Sequence, residues 1–316
     1  MSADDGIDTP LATLRLLDRV GDGGQGEVHV LDGHPGVLYK AYRPTLHPDG
    51  DALAALVGVR RGLDPADRDW LDERAAWPLC RVTDGDRVTG FLMHRAPESM
   101  AWRASGGDTK LTELAYLLRP AKAAWQAVVQ PSPAERYALA VAVVELIDRL
   151  HAMGLVLGDL SQANVLWTVR PGPAVYLLDC DGARQAGRAP VLAQADTIDW
   201  NDPQAPPGVV TVDSDRYKAA LAVGRILAQD AYTAPGKPLT PVPGVLDDRR
   251  EAAVRRLFDR AGGSFGSRPG LGEWRTALAG RDVIKLAAAR PAPRPDVDPS
   301  KFDGARERGT ISLRED

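Results

Sequence analysis

The spacing of apolar residues changes character once along this 316-residue chain, and that change limits the fold more than any single motif. Through the first ninety-odd residues the apolar side chains fall in short alternating or β-branched runs separated by glycine. Runs at 13–20, 27–31, 37–42 and 88–93 are expected as strands. Asp32-Gly33 supplies a hairpin turn between the second and third. From about residue 111 the spacing becomes helical, most clearly in SPAERYALAVAVVELIDRLHAMG at 132–154. There Ser132 is placed to cap, Pro133 to open the first turn and Gly154 to end the helix, with Leu139, Val143, Leu146, Ile147 and Leu150 as one apolar stripe. Two short strands at 165–169 and 175–178 follow, and helix resumes near Asp215. The pattern predicts an α+β fold of two lobes with a cleft between them: a small β-rich N-lobe at 1–96 and a larger, mainly helical C-lobe at 97–290. The stretch 291–316, rich in proline and charge, is expected as a flexible tail.

Composition narrows the function. A content of 44% hydrophobic and 26% charged residues excludes a largely disordered or collagen-like chain, and a net charge of -4 gives no basic footprint for nucleic acid. The two cysteines, Cys80 and Cys180, are too few and too far apart for a disulfide framework or a zinc knuckle. The first residues, MSADDGIDTP, are acidic where a signal peptide is basic and then apolar, and apolar stretches such as 138–144 fall far short of the roughly 20 residues a bilayer span needs. A cytoplasmic protein with neither a nucleic-acid nor a membrane partner is expected. Trp77, Trp125 and Trp167 are expected to pack the interior, and Cys180 to act as a small buried hydrophobe.

Three motifs carry chemistry. Gly21-Asp-Gly23-Gly-Gln-Gly26-Glu-Val28 fits G-x-G-x-x-G-x-V between two expected strands, where missing Cβ atoms let backbone N–H groups approach phosphate oxygens. Because Val28, Val30 and Leu31 continue as strand, a dinucleotide-binding turn, which opens a helix, does not fit. The next strand carries Lys40, with no other lysine before Lys110. Downstream, Leu157-Gly158-Asp159 is followed five residues later by Asn164, and 175–178 leads into Asp179-Cys180-Asp181. A loop aspartate suits orienting an acceptor hydroxyl, and an amide oxygen with a strand-end carboxylate suits a metal that bridges phosphates.

The ordered set Gly21, Gly23, Gly26, Lys40, Asp159, Asn164 and Asp179 resembles the protein-kinase superfamily, specifically the eukaryotic-like Ser/Thr kinases of bacteria, over about residues 12–280. The resemblance implies ATP with Mg²⁺ or Mn²⁺ as cofactors and a protein substrate. It implies that Gly21, Gly23, Gly26 and Val28 cover the phosphates, that Lys40 contacts them and that Met93, His94 and Ala96 lie at an adenine-binding hinge. Asp159 then resembles the catalytic aspartate, and Asn164 and Asp179 the metal ligands. Trp200-Asn-Asp-Pro203-Gln204 resembles the end of an activation segment, Asp215 the aspartate opening a central helix, and Arg268 a late arginine.

Departures from the family pattern are as specific. Gly158 stands where an arginine usually precedes the aspartate, which implies a kinase not switched by phosphorylation of that segment. Thr197, the one hydroxyl residue between 182 and 200, is therefore expected to be dispensable. Gln204 replaces the glutamate that pairs with the late arginine, which puts that ion pair in doubt. Asp181 competes with Asp179 as metal ligand. No glutamate lies between Glu27 and Glu73, so the helix partner of Lys40 is Asp51, Glu73 or neither. Gly158-Asp159 with Asn164 also resembles the loop of aminoglycoside and choline phosphotransferases, and a pseudokinase scaffold is a further alternative. With only APPGVVTVDSD between Gln204 and 215, there is no room for a helical insert closing a small-molecule pocket, which favours a protein acceptor.

Overall fold

Alternation in the first ninety residues builds a mixed sheet of six strands. In the computed structural model, which describes residues 6–193 and 197–281, these are β1 (Asp8–Pro10), β2 (Leu16–Asp22), β3 (Gly26–Leu31), β4 (His34–Tyr42), β5 (Cys80–Asp84) and β6 (Arg87–His94). Their spatial order is β1-β5-β6-β4-β3-β2, with β1 parallel to β5 and the remaining pairs antiparallel. Asp32-Gly33 makes the β3–β4 turn as expected, with Gly33 at φ +75°. β1 and β5 lie outside the expected runs, being three and five residues long. The expected tail at 291–316 lies outside the described residues.

The period of two divides β4 between the faces of the sheet. Tyr39 joins Leu31, Leu79, Cys80, Val82 and Leu92 in one apolar cluster. Leu38 and Tyr42 join the main core with Phe91 and Met93. Lys40 shares their face and is only 4% exposed. Gly90 on β6 is required by this crowding: a Cβ there would lie 2.0 Å from the Lys40 carbonyl oxygen.

Two helices separate β4 from β5. α1 (Gly50–Gly62) is capped by Asp49, whose side chain accepts from the Asp51 and Ala52 N–H groups, and α2 (Pro65–Asp72) is capped by Asp64 with proline in its first turn. Arg60 of α1 grips Asp72 of α2 through Nε and Nη2 at 2.7 and 2.6 Å. Burial alone would raise the Asp72 pKa, but Arg60 and His94 outweigh it and hold the carboxyl at about 2.

After the sheet come β7 (Ala101–Arg103) and β8 (Thr109–Leu111), α3 (Pro133–Ala152), β9 (Leu155–Val156), β10 (Val165–Thr168), β11 (Ala174–Leu177) and β12 (Arg184–Gln185). Then α4 (Val212–Ala228), α5 (Asp248–Ala261) and α6 (Leu271–Leu278) complete the described residues. The capping box at Ser132 and Glu135 forms, Gly154 turns the chain at φ +79°, and the predicted stripe of α3 is wholly buried. Helix does not begin at 111, however: the intervening stretch holds β8 and short 3-10 turns before proline opens α3. α4 begins three residues before Asp215, because Thr211 caps it. It lies between α3 and α5, and a Cβ at Gly224 would sit 2.2 Å from the Phe258 ring. Trp77 and Trp167 are buried as expected, and Trp125 is partly so. Among the described residues no helix is long and apolar enough to cross a membrane.

The depressed Asp72 pKa makes a stability prediction. Its folded value of about 2 lies below the ordinary 3.8, so the stabilisation, about 2 kcal/mol, is complete above that ordinary value and is lost as pH falls through 2. Urea unfolding at pH 7 and pH 3 is expected to show a smaller acid loss in Asp72→Asn than in the parent protein, with the variant already weaker at pH 7.

Candidate functional site

The loop between β9 and β10 is hung from α4 by hydrogen bonds. Asp215, with no solvent exposure, accepts the Leu157 N–H at 2.7 Å on one oxygen and the Gly158 N–H at 2.8 Å on the other. His151, in the last turn of α3, reaches the same carboxylate at 3.1 Å. One helical turn along α4, Lys218 donates to the Gly158 carbonyl at 2.5 Å. Gly158 takes φ +72°, a conformation that the arginine usual in the resembled family would strain. These bonds fix the peptide immediately before Asp159.

The Asp159 carboxylate accepts the Thr197 hydroxyl at 3.2 Å and the Asn164 Nδ2 at 2.9 Å. The same Nδ2 donates to the Asp159 carbonyl at 2.8 Å, which turns the Asn164 Oδ1, the atom able to ligate a cation, away from Asp159. Burial raises the Asp159 pKa, and Lys218, Asn164 and Thr197 oppose it. Thr197, expected from the sequence to be dispensable, is bonded to the aspartate.

Hairpin register brings the second half of the site alongside. Val165 pairs with Leu177, and the Leu178 N–H donates to the Asn164 carbonyl at 2.7 Å, so Asp179 emerges beside Asn164. Asp179 adopts φ 51°, ψ 44°, a left-handed conformation that aspartate tolerates better than most residues. Its side chain is half-exposed.

Lys40 meets this segment from the sheet. Its Nζ lies 2.7 Å from Asp181 Oδ1, 3.3 Å from Asp179 Oδ1 and 3.3 Å from Gln25 Oε1, and 5.7 Å above the Phe91 ring. The other Asp181 oxygen accepts the Tyr42 hydroxyl at 3.0 Å. Burial disfavours the ammonium, yet Asp181 and Asp179 outweigh it and hold the Lys40 pKa above its ordinary value. Cys180, buried between the two acids, has its thiol pushed up by burial and by those charges. Of the alternatives left open for the helix partner of Lys40, neither acid reaches it: Asp51 and Glu73 are both exposed. The acid on the same strand-end segment, weighed in the sequence only as a metal ligand, takes that place.

The remaining expected residues distribute less uniformly. Val28 pairs across the strands with Lys40 and packs against the main core, and Met93 is buried there, paired with Leu38. Ala96 is partly buried against the same core, while His94 contacts Asp72 at 3.4 Å. The three glycines are not equivalent. Gly26 is demanded by packing, since a Cβ would lie 2.0 Å from the Ala41 carbonyl, Gly21 is crowded by Val28, and Gly23 faces open space. The tip they frame places Gln25 on Lys40.

Gln204 does not pair with the late arginine, but the ion pair exists. Asp202, two residues earlier, meets Arg268 at 2.5 Å, with both side chains out of solvent. The cue missed was the acid inside the same Trp-Asn-Asp-Pro turn. Lys218 was also missed; its spacing of three from Asp215 on a helix was the available signal.

Among the described residues no three His, Cys, Asp or Glu side chains converge as a self-sufficient metal cage. Asp179 and the Asn164 Oδ1 are oxygen donors that could take part in holding a hard cation. No protein-family model and no curated protein matches this chain.

Removing the buried partner of Lys40 tests the arrangement. Asp181→Ala is expected to cost about 3–5 kcal/mol in urea unfolding, because it strips one member of a buried pair. Asp51→Ala and Glu73→Ala are expected to stay within about 0.5 kcal/mol of the parent.

Proposed function

We propose that the chain is an ATP-dependent phosphotransferase with the two-lobed protein-kinase fold, transferring phosphate to Ser or Thr hydroxyls of protein. One observation supports this reading: the sheet-borne Lys40 contacts the half-exposed Asp179, and the hairpin register sets Asp179 beside the Asp159–Asn164 pair, an arrangement that suits phosphoryl transfer. In this reading the sheet with α1 and α2 is the small lobe, and the helical remainder is the large one.

Each residue has a role that follows from its surroundings. Lys40, kept protonated by two acids, supplies positive charge to phosphate oxygens, and Gln25 is the contact an incoming anion displaces most readily because it is neutral. Asp179 and the Asn164 Oδ1 are the donors that fit Mg²⁺, whose chemistry is to neutralise charge on the transferring phosphate. Asp159 orients an acceptor hydroxyl and takes its proton. It is itself aimed by Asn164 and Thr197, and its backbone is fixed by Asp215 and Lys218. The Arg268–Asp202 pair anchors the Trp200–Gln204 end of the segment, where Trp200 is buried. The stretch 204–211 contains turns and no inserted helix, which supports an open surface for a protein acceptor over an enclosed small-molecule pocket.

Purified protein with labelled ATP and Mg²⁺ or Mn²⁺, given protein and small-molecule acceptors separately, tests the reading. Label is expected on protein Ser or Thr. Label only on an aminoglycoside or choline-like amine moves the assignment to that class, and nucleotide binding without any transfer makes the chain a pseudokinase. Asp159→Asn is expected to lower turnover by roughly 10² to 10⁴ with nearly unchanged ATP affinity. Asp179→Asn is expected to remove the metal dependence of nucleotide binding. Thr197→Ala is expected to lose roughly tenfold or more in kcat, the effect of one hydrogen bond to a charged group, where the sequence alone predicted little change.

A further inference from the structure

Between β2 and β3 the chain turns at Gly23-Gly-Gln25-Gly26, and Gln25 rests on Lys40 at 3.3 Å. A Cβ on Gly23 or on Gly24 would meet no neighbour within 4 Å, so packing against these two residues does not fix the tip. Lys40 beneath it is nevertheless only 4% exposed. What positions the tip is charge at its base.

Four side chains of alternating sign close a ring there. Arg19, on β2, lies 2.9 Å from Asp22 and 3.0 Å from Glu27. Arg43, one residue past β4, pairs with the same two acids: with Asp22, and with Glu27 at 3.0 Å on the oxygen that Arg19 also uses. Asp22 and Glu27 are partners across the β2–β3 ladder, so the ring straddles the two strand ends from which the tip hangs. Arg43 also reaches the tip itself. Its Nη2 donates to the Gly23 carbonyl at 3.2 Å, and its backbone N–H donates to the Gln25 carbonyl at 2.9 Å. Arg19 above all, with Arg43, holds the Glu27 carboxyl below its ordinary pKa, while desolvation and Asp22 oppose.

A lone exposed ion pair contributes little, because side-chain entropy and screening offset its attraction; a closed network gives each side chain two partners at once. The four side chains are 31–51% exposed, so dissolved salt reaches them. Lys40 and Asp181, at 5% and 2%, are screened far less.

We infer that Arg19, Asp22, Glu27 and Arg43 form a salt-sensitive latch that keeps the tip, and with it Gln25, closed over Lys40. When the latch opens, Gln25 withdraws and Lys40 keeps Asp179 and Asp181, with its ammonium uncovered on the side where Gln25 stood. The cover is read in the free protein without nucleotide or metal, so the latch and the phosphotransferase reading are tested separately.

Reductive methylation of the full chain with formaldehyde and an amine–borane, both small and uncharged, followed by peptide mass spectrometry, tests it. Lys110, exposed, and Lys218, buried on α4, are the internal references. Between about 0.1 and about 1 M NaCl the Debye length shrinks from about 10 to about 3 Å, and methylation of Lys40 relative to Lys110 is expected to rise about threefold or more. Arg43→Ala and Glu27→Gln are each expected to show the faster rate already at the lower salt and to lose most of the salt response, with Lys218 as slow as in the parent protein. A Lys40 rate in the parent that salt leaves unchanged overturns the proposal. So does an equal salt response in the parent and in Arg43→Ala, which would assign the effect to the Asp179 and Asp181 contacts. A rise at Lys218 in step with Lys40 also overturns it, because the opening would then be global.

Discussion

Asp215 is a carboxylate that no solvent reaches, and its two oxygens are occupied by backbone N–H groups of the loop it supports. A buried charge without such partners would cost several kcal/mol, so the loop cannot drift from α4 without exposing that penalty. α4 is in turn held by the apolar contacts of α3 and α5. The position of Asp159 is thus set by the rigidity of the core beneath it, which is how a short irregular loop keeps one side chain in register.

The second constraint is electrostatic and joins the sheet to the helical part. Lys40 would be a poor occupant of the apolar inner face of β4 if alone. Asp181 and Asp179 make it favourable, Tyr42 satisfies the remaining Asp181 oxygen, and the ring of Phe91 covers the ammonium. The two acids differ in a way that separates their tasks. Asp181 is enclosed and committed to Lys40, whereas Asp179 keeps half its surface open.

Much of this was legible in the sequence where a local rule governs. The capping box at Ser132, the glycine turns at Gly33 and Gly154 and the strands on either side of Lys40 follow from propensity and period. The Asp159–Asn164 spacing placed two interacting side chains together because five residues span one tight loop. What was not legible depends on contacts distant in sequence. Nothing local tells that Asp181 faces Lys40, that Asp202 instead of Gln204 meets Arg268, or that Lys218 reaches a loop sixty residues earlier. β5 was missed because a five-residue strand with three polar members is bound by its neighbours and not by its own pattern. Gly26 illustrates overlap: the residue read as a phosphate cradle is also the only type that permits β3 and β4 to close at that point.

The partner of Lys40 lies on the segment that follows β11 and not on α1, and this has a mechanical consequence. α1 presents an exposed Asp51 at its start and carries no acid to the lysine. A displacement of α1 therefore breaks no charge contact at Lys40, and the ammonium reports instead on the conformation of the stretch from Asp179 to Asp181. Because β12 continues from that stretch and its ladder runs to the strand preceding Asp159, tension applied to the chain after residue 181 is transmitted to both halves of the site at once, and reaches α1, which packs against β12, only through packing and not through a charge at Lys40.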